Sequence, residues 1–338
     1  MDKRYVRILV LIFIFVSLSL FYLFNNRNAI AVKFIKCGIS LNSNAMYNSS
    51  IVSYSAALIF NPKSAWAYNA LGTSYYNKAK YSDFSKRKIQ KDYEKSVKYF
   101  DKAIELANGY YPSAYVNRGN AYERLGKYKL ALNDYNAALK YEPHNYDALY
   151  GLVMVYSSRD YKQYQKSIDI LNTLIKTNPR SANLYFSMGW NYDKLGLGKK
   201  SIENYLKVVE INPKRVDAWI NLSYVSEITL SDYEAAVKYA DKALDLNPNS
   251  MYALSNKAYA LVKLKRYEEA MEYINIELYK SPDYSRAYFQ RGQVKLAKGD
   301  KQGARQDFLK AIEFEQKYDF DDKDKIVSMI KDLLKKCK

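Results

Sequence analysis

Cysteine and histidine are scarce in this sequence, and their scarcity argues against several classes of function. The 338 residues contain two cysteines, Cys37 and Cys337, and one histidine, His144. Most metal sites, disulfide frameworks and Cys–His or Ser–His–Asp catalytic sets need more of these side chains. We therefore predict no metal site, no catalytic residues and no cofactor, and we expect that the protein is not an enzyme.

Glycine and proline are also few, at 12 and 7 residues. Folds built from many short strands use these residues at their turns, so their scarcity over such a length favours helices. The glycines stand singly and form no phosphate-binding loop. These counts predict an all-α fold.

Acidic residues are outnumbered, with 35 Asp and Glu against 53 Lys and Arg, which gives a formal net charge of +18. A basic surface attracts anionic membranes, nucleic acids or acidic proteins. Lys, Asn, Ile and Tyr all have AT-rich codons, so base composition explains the lysine content equally well. The charge alone selects none of these partners.

One apolar run without charge, Ile8 to Phe24, follows a short basic tail (residues 1–7). A helix of these 17 residues would be about 26 Å long, close to the ~30 Å hydrocarbon core of a bilayer. Basic residues precede the run, and Arg27 is the only charge within eight residues after it. The positive-inside rule therefore predicts a single-pass membrane anchor with a cytoplasmic amino terminus and an extracytoplasmic remainder.

A second interpretation of the same segment is a cleaved signal. Ala29-Ile30-Ala31 resembles a signal-peptidase site, so cleavage near Ala31 would export the rest of the chain. The apolar run is longer than the roughly 7–15 residues of a cleaved signal, which favours the anchor. A buried amphipathic or core helix is a third possibility.

The rest of the chain is built on an internal repeat. Six of the seven prolines fall at one phase, and from Pro143 onward they are separated by 36, 34, 35 and 34 residues. Copies aligned on this phase begin at residues 31, 65, 112, 146, 182, 216, 251 and 285. Glycine occupies position 8 in five copies, and aromatic residues mark position 24. These residues are Gly38, Gly72, Gly119, Gly189 and Gly292, and Tyr54, Tyr135, Tyr205 and Phe308.

This pattern resembles the tetratricopeptide repeat, a 34-residue helix–turn–helix unit. The resemblance implies an all-α superhelix (an α-solenoid) over residues 31–319, in which eight helical pairs stack through nearest-neighbour interfaces and the first pair is degenerate. Residues 322–338 carry a continuous apolar stripe that ends at Cys337, and we predict that they form a capping helix.

The second copy contains about 12 extra residues between its helices. They are strongly basic, and two interpretations stay open. Either both helix ends are lengthened and solvated, or a basic finger projects and contacts an anionic partner or the membrane surface. The basic residues are Lys78, Lys80, Lys86, Arg87, Lys88 and Lys91.

The family resemblance also implies a binding surface. In tetratricopeptide arrays the first helix of each pair lines a concave groove through positions 2, 5, 6, 9 and 12. Aromatic residues on an exposed concave surface are the anchors that peptide grooves use. The alternative is that these rings pack between helices. The groove positions are Trp66, Asn117, Asn120, Tyr150, Met154, Phe186, Trp190, Tyr224, Asn256, Tyr259, Phe289 and Gln293.

These features together predict a scaffold that is tethered to a membrane through Ile8–Phe24 and binds proteins or peptides in its groove. The first alternative is a cleaved, exported protein that binds glycans or envelope-assembly factors. The second is a nucleic-acid-binding helical array. We expect no nucleic-acid partner, because the predicted groove carries Asn and aromatic residues instead of a stripe of lysines.

Overall fold

The computed structural model of the chain describes residues 12–13, 15–17, 21–83, 85–315 and 323–337. This part of the chain contains helices and turns and no strand. It forms two compact units, residues 1–163 and 164–338. The helices are α1 (Arg27–Ser43), α2 (Tyr47–Phe60), α3 (Ala65–Lys80), α4 (Lys86–Leu106), α5 (Pro112–Arg124), α6 (Tyr128–Tyr141), α7 (Tyr146–Ser157), α8 (Tyr164–Thr177), α9 (Ala182–Lys194), α10 (Gly198–Ile211), α11 (Val216–Ile228), α12 (Tyr233–Leu246), α13 (Met251–Lys263), α14 (Tyr267–Lys280), α15 (Ser285–Ala297), α16 (Lys301–Glu315) and α17 (Lys323–Lys336).

The first helices of seven pairs begin at the residues where the sequence pattern places a new copy, and local capping explains several of these starts. The Ser64 hydroxyl accepts a hydrogen bond from the Ala67 N–H at 3.2 Å, and Asn145 accepts one from the Ala148 N–H at 2.9 Å. A side-chain oxygen at this place satisfies a backbone N–H that has no partner within the helix. Each copy therefore carries its own start signal.

In the five pairs with glycine at position 8, an aromatic ring packs where the glycine lacks a side chain. Tyr135 of α6 is fully buried, and a Cβ at Gly119 of α5 would lie only 2.7 Å from its ring. The ring also fills the space beside Gly151 of the next pair. Phe100 fits Gly72, and Phe308 in the last pair packs similarly. Close helix approach thus depends on the glycine of position 8 and the aromatic residue of position 24.

Within each unit the first helices of neighbouring pairs contact one another. Helix α5 contacts α3 and α7 in the first unit, and α13 contacts α11 and α15 in the second. The first helices therefore form an inner layer in each unit. Positions 2, 5, 6, 9 and 12 belong to these helices.

The insertion in the second copy lengthens both helices of that pair. Helix α3 has 16 residues and α4 has 21, whereas α5 and α6 of the next pair have 13 and 14. The tyrosine rings of Tyr47 and Tyr81 stack at 6.0 Å, so the α3–α4 turn lies beside the α1–α2 turn. This matches the interpretation of two lengthened helix ends.

At the carboxyl end, α17 packs against α16. Ile330 and Cys337 are buried in one cluster with Phe308 and Tyr288. Cys337 therefore contributes to the core as a small apolar side chain.

The predicted anchor, Ile8–Phe24, lies partly outside the described residues. Among the residues that are described, no helix combines the length and the apolar character needed to cross a bilayer.

Candidate binding surfaces

The inner layer of the first unit is open around Trp66. Its indole is 43% exposed and lies edge-on to the Tyr54 ring, with 6.0 Å between the ring centroids. A pocket of about 230 Å³ opens beside it between α1 and α3. None of its lining side chains is charged, and amide and hydroxyl groups alternate with apolar atoms. The lining residues are Ile39, Asn42, Ser43, Tyr54, Trp66, Asn69, Ala70 and Thr73.

Amide side chains continue this surface onto the third pair. The Asn117 carboxamide N–H donates to the side-chain oxygen (Oδ1) of Asn69 at 3.1 Å. Asn120 accepts a hydrogen bond from the buried Tyr135 hydroxyl at 2.8 Å. Burial raises the pKa of that hydroxyl well above its usual range, so Tyr135 stays neutral and donates. Both asparagines are half-buried and stiffen the inner layer.

Two further predicted groove residues lie on α7. Tyr150 is half-buried and its ring stacks on Tyr146 at 6.0 Å, whereas Met154 is 43% exposed. In this unit, therefore, Trp66 and Met154 present the most apolar surface of the predicted positions.

In the second unit the predicted aromatic anchors are half-buried and packed within the protein. Trp190 lies edge-on to Tyr164 at 5.7 Å, and Phe186 meets Tyr205 at 5.4 Å. Together with Tyr224, both rings pack against the buried cluster around Leu222 and Val225. These contacts match the alternative interpretation, in which the rings pack between helices.

Cationic side chains of the protein lie over several of these rings. Lys194 is 5.5 Å from the Trp190 ring, and Arg215 is 4.2 Å from the Phe186 ring. Tyr259 has Lys263 at 5.1 Å and Arg286 at 5.5 Å. A ring that already faces a cation of its own chain offers less surface to a ligand.

Two predicted groove residues are buried and do not form an accessible surface. Asn256 is 2% exposed, and its carboxamide donates to the Ile220 carbonyl at 3.2 Å. Phe289 is 5% exposed and packs on Phe308 with 6.2 Å between ring centroids. Gln293 is half-buried, although its carbonyl oxygen is enclosed. The repeat pattern places Asn256, Phe289 and Gln293 on the inner layer, but neighbouring helices cover Asn256 and Phe289.

The structure also reveals a buried ionic cluster that the repeat pattern does not indicate. Arg286 donates to Glu227 at 2.6 Å, and the Glu227 side chain is fully buried. Burial raises the pKa of Glu227 to about 7, against the opposing effect of Arg286. Glu277, which occupies the small-residue position 27, is also fully buried, and burial raises its pKa to about 8. Glu227, Glu277 and Arg286 belong to pairs six, seven and eight, and the Arg286–Glu227 hydrogen bond joins pairs six and eight.

Two arginine–aspartate pairs bind the helices within single copies. Arg118 makes two hydrogen bonds to Asp134, at 2.6 and 2.8 Å, and Arg291 makes two to Asp307, at 2.7 and 2.9 Å. In both copies the residues stand 16 apart, at positions 7 and 23. Because this spacing recurs, both arginine–aspartate pairs could have been predicted from the sequence.

The basic insertion presents most of its charge to solvent. Lys78 is the exception, because it pairs with the buried Asp92 at 3.3 Å. The other five are exposed: Lys80, Lys86, Arg87, Lys88 and Lys91. Among the described residues there is no cluster of three His, Cys, Asp or Glu side chains that could hold a metal ion.

Comparison with known proteins supports the description of the chain as a series of helical pairs. Tetratricopeptide repeat family models match residues 88–110, 112–145, 182–215, 225–285 and 285–318. A tetratricopeptide repeat protein from Parabacteroides merdae superposes with a TM-score of 0.58 at 21% identity, covering 80% of this chain and 98% of that chain. PilF of Pseudomonas aeruginosa superposes with a TM-score of 0.55 at 14% identity, covering 69% of this chain and 99% of that chain.

Two curated relatives are similar over much of this chain. The human protein O-mannosyl-transferase TMTC3 is 25% identical over 271 residues, which are 74% of this chain and 28% of the relative. The TPR repeat-containing protein MJ1428 of Methanocaldococcus jannaschii is 26% identical over 208 residues, 59% of this chain and 35% of the relative. The chain thus spans about a third of these relatives or less. The prediction of an all-helical repeat fold is confirmed, and the chain belongs to the tetratricopeptide repeat family.

Proposed function

We propose that this protein is a membrane-tethered scaffold that holds a peptide or protein segment on the inner layer of its first three helical pairs. The observation that carries this proposal is the uncharged opening at Trp66. It combines an exposed indole with the carboxamide of Asn42 and the hydroxyl of Thr73. Such a lining suits the apolar side chains and backbone amides of a peptide, and it offers no charge that would require an ionic ligand.

The tether rests on the apolar run. Where the run is described, its large side chains point to solvent, with Phe13 at 73%, Phe15 at 72% and Phe24 at 67% exposure. Exposed phenylalanines of this density are costly in water and favourable in a lipid core. A bilayer around Ile8–Phe24 would remove this cost.

Backbone hydrogen bonds favour an uncleaved tether over a cleaved signal. The Asn26 N–H donates to the Tyr22 carbonyl and the Ile30 N–H donates to the Asn26 carbonyl, both at 3.0 Å, so the helix runs on into α1. Ala31, the last residue of the candidate cleavage site, is buried inside α1. Cleavage there would remove the first turn of that helix.

The basic insertion is the second feature that a partner could use, and its place favours a protein partner over the bilayer that holds the tether. The insertion adjoins the far end of α1, and Ser43 stands 19 residues after Phe24. A continuous helix of that length would place the insertion about 29 Å from the end of the apolar run. An acidic surface on a bound protein would complement these exposed cations.

Topology is tested with a reporter enzyme that is active only outside the cytoplasm, fused after Lys338. We expect reporter activity, together with retention of the chain in membranes after alkaline carbonate washing. Release of a soluble product that begins near Val32 would support the exported alternative instead. Activity of cytoplasmic reporters alone would reverse the proposed orientation.

Binding is tested by probing an array of random peptides with the full-length protein in detergent. We expect peptides with apolar residues to be retained, and Trp66→Ala to weaken the retention. The matched control is Tyr279→Ala, because Tyr279 is 89% exposed on a second helix and lies outside the inner layer. Equal retention by Trp66→Ala and wild type would move the site elsewhere, and selective binding of glycans or nucleic acids would replace the peptide proposal.

A further inference from the structure

The exposed face of α4 carries four cations spaced by four, four and three residues, so they share one side of the helix. All four are exposed, and within the described part of the chain none of them forms an ion pair with a carboxylate. At 1.5 Å per residue the cations extend over about 17 Å. We call them the α4 row, and they are Arg87, Lys91, Lys95 and Lys98.

The lysine content of the whole chain does not explain this concentration of charge. Helix α4 has six exposed cations, whereas none of the other second helices, all of which the structure describes, has more than three. Some lysines elsewhere are paired, as Lys207 is with Glu210 on α10 at 2.7 Å. Helix α14 carries mainly the opposite charge, with Glu268, Glu269 and Glu272 exposed. A codon bias would enrich lysine in every helix, so it does not account for the α4 row.

We propose that the α4 row binds an acidic helical segment of a partner protein. The row repeats about once per helical turn, and carboxylates spaced by three and four residues on a partner helix repeat at the same interval of about 5.4 Å. Each cation of the row can therefore meet one carboxylate. The inference rests on the proposed scaffold function, for which it names a second surface outside the inner layer.

The rings beside the α4 row argue against a nucleic acid as its occupant. Tyr75 and Tyr99 are half-buried and stack on each other at 5.4 Å, and the Lys95 ammonium lies 5.3 Å from the Tyr75 ring. Single strands bind where bases can stack on open aromatic rings between the cations. These two rings are already occupied by the chain itself.

The direction of α4 argues against a lipid surface. Tyr68, near the start of α3, stacks with Tyr99 in the second half of α4 at 6.4 Å, so α3 and α4 are antiparallel. Their turn lies beside the α1–α2 turn, at the end of α1 that is remote from the apolar run. The α4 row therefore extends along the helices from that end, and a flat bilayer around the apolar run would meet at most one end of the row.

The test measures the fluorescence anisotropy of a labelled peptide mixed with the full-length protein in non-ionic detergent. The peptide is an alanine-based helix whose glutamates follow the spacing of the α4 row, and a second peptide has glutamine at the same places. We expect only the glutamate peptide to bind, with an affinity that falls as salt is raised from about 50 to about 300 mM. Lys91→Gln, Lys95→Gln and Lys98→Gln together should lower this affinity roughly tenfold.

A matched control removes the same net charge from other places. Lys129→Gln, Lys176→Gln and Lys238→Gln lie at exposed positions on three other second helices, so together they should change the affinity less than about twofold. Circular dichroism and thermal melts of both triple variants verify folding. The pair Lys91→Gln and Lys98→Gln serves if the triple variant of the row is unstable.

Three results would overturn the proposal. They are no binding of the glutamate peptide, an equal loss of affinity in the two triple variants, and tighter binding of DNA or of phosphatidylglycerol vesicles than of the glutamate peptide at the same salt. The proposed peptide site is read separately, because Trp66→Ala should bind the glutamate peptide as the wild type does. The triple variant of the row should in turn retain the apolar peptides of the array.

Discussion

The predicted groove residues include two exposed side chains in the first unit, Trp66 and Met154, whereas those of the second unit, which we call the filled region, are all half-buried or buried. The repeat nevertheless places the two sets at equivalent positions. At position 2 of the second copy, Trp66 is exposed beside an uncharged pocket, whereas at position 2 of the eighth copy Arg286 donates a hydrogen bond to the buried Glu227. At position 6, Asn117 is half-buried, whereas Asn256 is buried against the Ile220 carbonyl. The repeat frame therefore decides which helix face a residue occupies, and the neighbouring side chains decide whether that residue is available to a ligand.

The filled region should respond strongly to pH, because Glu277 is buried there with a pKa raised to about 8. Its pKa in the unfolded chain is the ordinary value of 4.5. The folded state then binds the proton more tightly, so the contribution of Glu277 to stability is fully present below the ordinary value and is lost as pH rises towards 8. Within this window the loss is about 1.4 kcal/mol per pH unit for one such group.

Glu277→Gln removes this titration and should make the protein more stable than the wild type at pH 9 by about 4 kcal/mol. Thermal melts by circular dichroism between pH 5 and pH 9 measure the effect. Glu269→Gln is the control, since Glu269 is an exposed partner of Arg266. Parallel pH profiles for wild type and Glu277→Gln would show that Glu277 is not the titrating group.

The Glu227–Arg286 pair should make the next largest difference. Arg286→Met keeps apolar bulk but leaves the buried Glu227 without its cation, and removal of one partner of a buried pair costs about 3 kcal/mol. The cost should fall as the pH drops and Glu227 becomes neutral, and in the variant this happens above pH 7, because Arg286 no longer lowers the pKa of Glu227. Urea unfolding at pH 6 and pH 8 measures both effects.

Arg266→Met is the matched control for this prediction. Arg266 pairs with Glu269 at 2.6 Å on the surface, where such a pair contributes about 1 kcal/mol or less. If both variants unfold at the same urea concentration, the filled region is not held by its ion pair.

Alanine variants of Trp190 and Trp219 test whether the half-buried rings of the second unit are structural. Both are half-buried against one cluster, and the Trp219 indole N–H donates to the Pro213 carbonyl at 2.9 Å. Full burial of a tryptophan implies a loss of about 3–5 kcal/mol on truncation to alanine, so we expect about 2 kcal/mol for each. Thermal melts of Trp190→Ala and Trp219→Ala should therefore be similar. If Trp190→Ala leaves the melting temperature unchanged while Trp219→Ala lowers it, Trp190 is an exposed anchor after all.

Sequence reasoning succeeded where an interaction lies inside one copy. Gly119 and Tyr135 are 16 residues apart in the same copy, so the repeat pattern predicts both residues and the contact between their helices follows. The bond between Glu227 and Arg286 spans 59 residues and joins pairs six and eight. A pattern that defines one copy and its nearest neighbour contains no signal for such a contact.

The candidate site was predicted less well for the same physical reason. Position 5 indicated that Phe289 lies on the inner layer, but its burial against Phe308 depends on how closely two particular helices approach. The opening at Trp66 likewise depends on Ile39 and Asn42 of the degenerate first pair. Whether a side chain is exposed depends on the helices packed around it, so the spacing of residues within one helix does not determine it.

The smallest effect on stability, and the sharpest on binding, should come from Trp66→Ala. The indole is 43% exposed and makes one ring contact, with Tyr54, so its removal should cost less than about 1 kcal/mol of unfolding free energy. An exposed aromatic anchor contributes about 1–3 kcal/mol to binding, so affinity for a peptide retained on the array should fall by roughly five- to 150-fold. A titration and a thermal melt on the same preparation separate the two effects. A melt lowered as far as that of Trp219→Ala would mean that Trp66 is structural, and the contrast between an open and a filled inner layer would then fail.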